Sequence, residues 1–283
     1  MDFSLLNSEN AKIFIYIPLF LLGASIGSFY FNLSYRILDL YYTQKRKQFK
    51  GLARLKELLI TPSNCENCAA PINSLHLIPI VGYIFTKGKC KHCGYQIPLI
   101  YPLGEFMFGL LAVLVFQASN NILLSFACLA LTGHLIISIS TDATHFSLDY
   151  ENLIWIFAWG LLVNFLLTEQ FPGLMDLYVI LGFGGFYALL YFFYPRGIGL
   201  GDVLFAPCFA FLCGHPWWML FLNASYIPAV VISLAFRNRN EKITNIPIPM
   251  GVYFCLGLFI TFACKILFTY FQFLETERPE IYE

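Results

Sequence analysis

Apolar runs long enough to cross a bilayer recur along this chain, and that recurrence decides what it can fold into. The first covers residues 13–33. After a polar stretch at 34–100, seven more follow at 101–117, 122–140, 153–167, 177–194, 203–213, 217–236 and 251–270. At a rise of ~1.5 Å per residue, about 20 residues cross ~30 Å of hydrocarbon. With no water to satisfy backbone polar groups there, such runs form helices. The sixth run is short and holds Pro207. The first is too long and too weakly basic at its start for a cleaved signal, and no small-residue cleavage site follows it. Hydrophobic residues make up 58% of the chain and charged residues 12%. Ordinary soluble domains are roughly half apolar and about a quarter charged, so too little polar surface is left to cover a soluble particle. A soluble globular enzyme and a disordered chain are both excluded. The expectation is an all-α polytopic membrane protein with about eight transmembrane helices and a small cytoplasmic four-cysteine domain.

Seventeen basic and seventeen acidic residues cancel. Nothing in that balance points to nucleic acid, and membrane lipid is the expected surroundings. The distribution says more. Ten of the seventeen Lys and Arg lie between Arg36 and Lys91, against three acids, Asp39, Glu57 and Glu66. By the positive-inside rule the 34–100 segment is cytoplasmic and the N-terminus is outside. Loops 141–151, 195–202 and 237–249 then fall inside, with Arg196 in the second and Arg237, Arg239 and Lys242 in the third. The outer loops 118–121, 168–176 and 214–216 contain no Lys or Arg. Four segments follow: a first helix at 1–33, a cytoplasmic basic domain at 34–100, a seven-helix membrane domain at 101–271, and an acidic outer tail at 272–283.

Five of the nine cysteines, Cys128, Cys208, Cys213, Cys255 and Cys264, lie in apolar runs and read as small buried hydrophobes. The other four form Cys65-Glu66-Asn67-Cys68 and Cys90-Lys91-His92-Cys93, with 21 residues between the pairs. Two C-x-x-C knuckles at that separation match a four-thiolate zinc site. Gly88 and Gly94 flank the second pair, where a knuckle needs permissive backbone. Two disulfides are the alternative, and a reducing cytoplasmic setting weighs against them. Four thiolates close the coordination shell, so the metal is structural rather than catalytic. His76 and His92 lie nearby and read as solvated side chains.

A carboxylate at membrane depth is costly unless paired, protonated or facing water, so each one is a functional candidate. Glu105, Asp142, Asp149, Glu151, Glu169, Asp176 and Asp202 lie in or against apolar runs. Asp142 ends the third run and Asp202 opens the sixth, within Gly199-Leu200-Gly201-Asp202. Both fall at cytoplasmic ends, at similar depth, so they can meet across a helix interface. Gly199 and Gly201 allow close backbone approach by a helix or an extended substrate. Two adjoining carboxyls share one proton over a wide pH range. The ionised one can then take a proton from water while the other polarises a peptide carbonyl. That is aspartyl proteolysis. A proton or ion path uses buried acids too, which leaves a coupled transporter as the alternative. Asp149 rivals Asp142 for the first role. Asp142 is preferred because it abuts an apolar run, whereas Asp149 is placed to cap the fourth helix. Asp176 is expected to be an N-cap, Glu169 solvated, and Glu105 to satisfy a polar partner within the bundle or to face the site rather than act in catalysis.

At this point the chain resembles the type IV prepilin peptidases, membrane aspartyl proteases of the Gly-x-Gly-Asp group. Gly27-Ser28-Phe29 with Asn32 and Tyr35-Arg36 is similar to the family's first-span signature. Ile78-Pro79 lies between the cysteine pairs as in its cytoplasmic domain. Ile97 through Tyr101-Pro102-Leu103-Gly104-Glu105 resembles its "P-I-x-x-x-Y-P-x-x-E" motif, with Gln96 for the first proline. Asp142 and Asp149 match its "D-x6-D", Gly199 to Asp202 its second catalytic motif, and Ile248-Pro249-Met250-Gly251 its late "I-P-F-G". Departures are Ser147-Leu148-Asp149 where the family has Leu-Pro-Asp, and Leu204 where it has lysine. The resemblance implies a bacterial inner-membrane enzyme with its N-terminus periplasmic and its active site at the cytoplasmic face. It implies cleavage after glycine, removing the basic leader of type IV prepilins and pseudopilins. It further implies N-methylation of the new N-terminal residue from S-adenosylmethionine.

Overall fold

The computed structural model describes residues 9–43, 51–195, 197–236 and 248–276. Lys45, Arg46, Lys47, Lys50, Arg196, Arg237, Arg239 and Lys242, all counted above for orientation, lie outside the described residues, as do Glu277, Glu280 and Glu283 of the tail and the Glu275 side chain. Among the described residues the regular structure is helical: α1 (Glu9–Tyr41), α2 (Leu52–Leu59), α3 (Val81–Thr86), α4 (Ile100–Ser119), α5 (Ile122–His145), α6 (Tyr150–Thr168), α7 (Leu174–Phe193), α8 (Leu200–Cys213), α9 (Trp218–Ala235) and α10 (Met250–Thr276). Seven helices there (α1, α4, α5, α6, α7, α9 and α10) are long and apolar enough to cross a membrane. The remaining expected span is α8, with 14 residues, or about 21 Å.

The chain divides into two compact units, Met1–Gly133 and His134–Glu283, with the boundary inside α5. In the first, α1 and α4 run antiparallel. Tyr16 meets Phe116, Phe31 meets Tyr101, and Gly23 lies between these pairs against Phe108, Gly109 and Ala112. A Cβ at Gly23 would sit 2.7 Å from the Phe108 carbonyl oxygen. Without a hydrophobic driving force between helices in lipid, close packing of this kind holds them together, and glycine at the crossing permits it. α1 continues about two turns past its apolar run, carrying Ser34, Arg36 and Asp39 beyond it.

In the second unit α8 is the interior helix. Phe205, Ala206, Phe209, Ala210, Leu212 and Cys213 have no exposed surface. Phe209 packs edge-on to Phe205 and Phe221, and Phe221 adjoins Phe254 of α10. From Phe205 onward most of α8 is buried among its neighbours, while Leu200 and Leu204 near its start are exposed. Asp149 is the N-cap of α6 as expected, its Oδ1 accepting the Glu151 N–H at 3.0 Å. Asp176 is not the N-cap of α7. Gly173 holds that position, and Asp176 reaches back from the first turn to accept the Gly173 N–H at 2.8 Å. A residue three places along supplies the carboxylate that glycine lacks. Glu169 is exposed at the end of α6, as expected.

Candidate active site and four-cysteine cluster

The two C-x-x-C segments fold alike, as short hairpins closed by isolated bridges at Asn64–Pro71 and Lys89–Gln96. In the first, the Cys65 N–H donates to the Ala70 carbonyl and the Ala69 N–H to Cys65. In the second, Cys90 donates to Tyr95 and Gly94 to Cys90, all at 2.9 Å. The residue after each second cysteine has a positive φ, 54° at Ala69 and 72° at Gly94. The left-handed turn expected at Gly94 thus has a counterpart that the sequence hides under an alanine.

The four sulfurs lie within 4.8 Å of one another. Cys65 and Cys93 are 3.8 Å apart, and Cys68 and Cys90 4.0 Å. A tetrahedral site with metal–sulfur bonds of ~2.3 Å places neighbouring sulfurs ~3.8 Å apart, so the cluster can hold a metal ion. Covalent disulfides need ~2.05 Å, and all four cysteines are free. The Tyr95 backbone N–H, helped by the Asn67 side chain, brings the Cys93 thiol down to about 6. The Cys93 and His92 N–H groups lower that of Cys90. At Cys90 and Cys93, N–H groups pointing at the sulfur thus favour thiolate, the ligating form. His76 and His92 are not part of the cluster.

The polar motif residues of α1 and α4 tether this cysteine domain. Asn32 Nδ2 donates to Ser63 Oγ at 2.9 Å, and Arg36 donates to Asn32 Oδ1 and to the Leu58 carbonyl. Glu105 Oε2 accepts the Ile80 N–H at 2.6 Å, a partner from the cysteine-bearing segment rather than from within the bundle, and Tyr101 donates to Glu66 at 2.5 Å. These contacts border a cavity of about 760 Å³ lined by Tyr35, Arg36, Glu57, Tyr83, Tyr101 and Glu105 among others.

In the second unit the ends of α5, α6, α8 and α10 converge. Asp142, in the last turn of α5, is buried, and its Oδ2 accepts the Val252 N–H at the start of α10 at 3.1 Å. Asp202, in the first turn of α8, accepts the Gly199 N–H at 3.3 Å and lies close enough to Asp142 for the two charges to interact. Leu148 is buried against Gly201 and Gly251. A Cβ at Gly201 would stand 3.2 Å from Leu148 Cδ1. One at Gly251 would stand 2.6 Å from Leu148 Cδ2 and 2.8 Å from Asp142 Oδ2. Four segments singled out in the sequence, Asp142, Ser147-Leu148-Asp149, Gly-x-Gly-Asp and Ile-Pro-Met-Gly, therefore meet. The carboxyl of Asp149 is occupied with its own helix. Burial pushes it up, and the Glu151 N–H offsets part of that. Leu204, where lysine was expected from the resemblance, is exposed.

Two polar groups escaped the sequence reading. Between α5 and α6, the His134 Nδ1–H donates to Asn152 Oδ1 at 2.7 Å, and Asn152 Nδ2 donates to Ser138 Oγ at 2.8 Å, one turn before Asp142. Lys265, in the last apolar run, is buried and donates to Asn164 Oδ1 at 2.6 Å and to the Cys213 carbonyl at 2.8 Å. A lysine inside an apolar run was the available signal, since ionisable groups at membrane depth stand out as acids do.

Residues 21–119 match the family model described as the bacterial peptidase A24 N-terminal domain. Residues 128–234 match the type IV leader peptidase family. The chain is 29% identical over 212 residues to a prepilin leader peptidase/N-methyltransferase of Dichelobacter nodosus, covering 72% of each chain. Proteins of the same name from Bacillus subtilis (strain 168) and Legionella pneumophila are 28% and 26% identical. The match covers 77% of this chain and 80% of the former, and 86% of this chain and 89% of the latter. No solved structure matches the chain. Both halves of the sequence match consecutive domains of one kind of enzyme, and the chain belongs to the type IV leader peptidase family of membrane peptidases.

Proposed function

We propose that this protein removes the basic leader of type IV prepilin and pseudopilin precursors, cutting after glycine at the cytoplasmic face of the inner membrane, with Asp142 and Asp202 as its catalytic pair. The observation that carries this reading is the convergence of these two carboxyls, each aimed by a backbone N–H. Brought to about 3 Å of one another, they would share one proton. The ionised carboxyl takes a proton from a water molecule, whose oxygen bonds to the scissile carbonyl carbon. The protonated carboxyl gives its proton to the carbonyl oxygen. Collapse of the tetrahedral species returns a proton to the amide nitrogen as the C–N bond breaks. Gly199 and Gly201 leave room for the substrate backbone.

Zinc on Cys65, Cys68, Cys90 and Cys93 serves a structural role, tying two hairpins that have little core of their own. The relatives' name includes an N-methyltransferase. We assign this chain the same second step, in which S-adenosylmethionine supplies a methyl group to the new N-terminal amine. The cavity of about 760 Å³ in the first unit has the volume for such a molecule, with Glu57 and Glu105 to attract a sulfonium cation and Tyr83 and Tyr101 to flank it. The segment assignments at 1–33, 34–100, 101–271 and 272–283, with the N-terminus periplasmic, complete the proposal.

The test uses purified protein in proteoliposomes with a precursor peptide bearing its leader. Wild type should generate a new N-terminus, and Asp142→Asn and Asp202→Asn should not, while remaining inserted. Full cleavage by either variant overturns the dyad. Ion flux without new N-termini would favour a transporter.

A further inference from the structure

We propose that Lys265 is a positioning residue for the aspartate pair, acting from the opposite end of the helices that carry it. Its kinetic readout rests on the peptidase reading above. Lys265 is 5% exposed on α10, and its ammonium binds groups on two other helices. It donates to Asn164 of α6 and to the carbonyl of Cys213, the last residue of α8. Asp176 of α7 faces the same point. A Cβ at Gly214 would stand 3.3 Å from Asp176 Oδ1 and 4.0 Å from Lys265 Nζ. Asp176 also accepts the His215 N–H at 2.8 Å, just past α8. One ammonium therefore joins α6, α8 and α10, with α7 beside it.

The same helices deliver the site at their other ends. Asp202 lies eleven residues before Cys213 along α8, about 16 Å away, and Val252 lies thirteen residues before Lys265 along α10, about 20 Å away. Helix α8 is short. Its buried residues are Phe, Ala, Pro, Leu and Cys, which interlock with their neighbours by shape. The bond from Lys265 to the end of α8 adds a directed polar restraint on its axial register. A slide of α8 along α10 would shift Asp202 relative to the Val252 N–H and Asp142. A buried ammonium needs partners at fixed positions, so it resists such a slide. Displacement of a reacting group by ~1 Å from a remote change can cost about 100-fold in rate.

The experiment compares Lys265→Met, Asn164→Leu and Asn164→Asp with wild type, using only monodisperse protein. Asn164→Leu is a second way to break the contact should Lys265→Met fold poorly. Asn164→Asp keeps an acceptor oxygen in place. Precursor cleavage gives kcat and KM, and amide exchange of the peptide covering Gly251 and Val252 reports the start of α10, where the Val252 N–H is shared between Asp142 and the Pro249 carbonyl, without any reaction. The expected result for Lys265→Met and Asn164→Leu is a fall in kcat of about 10- to 100-fold, KM within about twofold, and faster exchange at Val252. Asn164→Asp should restore both towards wild type. Wild-type kcat in the folded variants, or unchanged exchange at Val252, overturns the proposal. If wild type cleaves no precursor, the peptidase reading fails and the exchange measurement alone decides the role of Lys265.

Discussion

Asp142 Oδ2 accepts the backbone N–H of Val252, 110 residues further along the chain, at 3.1 Å. A carboxylate at the start of a helix that is not its own gains from that helix's unsatisfied N–H groups and its dipole. The bond also fixes where the end of α5 meets the beginning of α10. Gly251 makes the contact possible, because any side chain there would collide with Leu148 and with the carboxylate itself.

Gly251→Ala is therefore expected to lower cleavage at least about tenfold, some 1.4 kcal/mol at the transition state. Detergent-purified protein should elute as wild type in size-exclusion chromatography. Normal cleavage by Gly251→Ala would mean that the α10 terminus can retreat without consequence.

Asp149 and Asp142 should separate in mutants. Asp149→Ala removes the N-cap of α6 and should cost about 1 kcal/mol of stability. Precursor cleavage should persist, and Asp149→Asn, which still caps, should restore the stability. Loss of cleavage in Asp149→Asn with an intact helix would reassign the first catalytic carboxyl.

Leu148→Ala should open a void between Gly201 and Gly251, costing about 2–3 kcal/mol by analogy with other buried leucines. Thermal denaturation in detergent measures it. A change under about 0.5 kcal/mol would show that this contact does not hold the two glycine motifs together.

The cysteine domain carries a pH prediction. Cys93 sits at about 6 in the folded protein against an ordinary thiol value of 9.0. A group lowered on folding stabilises the folded form above its ordinary value, and that contribution is lost as pH falls through the folded value. The metal-free domain should therefore weaken between pH 9 and about 6 on acidification. At pH 7 zinc binding should release fewer than four protons, because Cys93 is already thiolate. Calorimetry in buffers of different ionisation enthalpy counts them. Release of four would contradict the geometry around Cys93.

Removal of the metal tests its role. Cys65→Ser and Cys90→Ser should each reduce the zinc content of reduced, freshly purified protein and destabilise residues 51–97 to protease, while Cys128→Ser should not. Full activity with no zinc would reject the four-thiolate site.

Much of this molecule was readable along the chain because its strongest constraints are local. Apolar run length placed the helices, since a bilayer demands backbone satisfaction within each segment. The paired C-x-x-C spacing placed four sulfurs on two turns, and the polar residue just before α6 marked Asp149 as its cap. The shortness of the sixth run has a physical counterpart, as α8 has only 14 residues and lies largely buried among its neighbours. Other features depended on which helix lies beside which. Nothing in the spacing of Asp142 and Asp149 tells that one meets α10 while the other turns back on α6. Nor does the sequence announce that Leu148 fills the space between two glycines, or that Lys265 reaches Asn164 and the end of α8. Those contacts join residues about 50 to 110 positions apart, and hydropathy and motif spacing carry no record of such distances. Side-chain packing between helices sets them, and only the folded arrangement contains it.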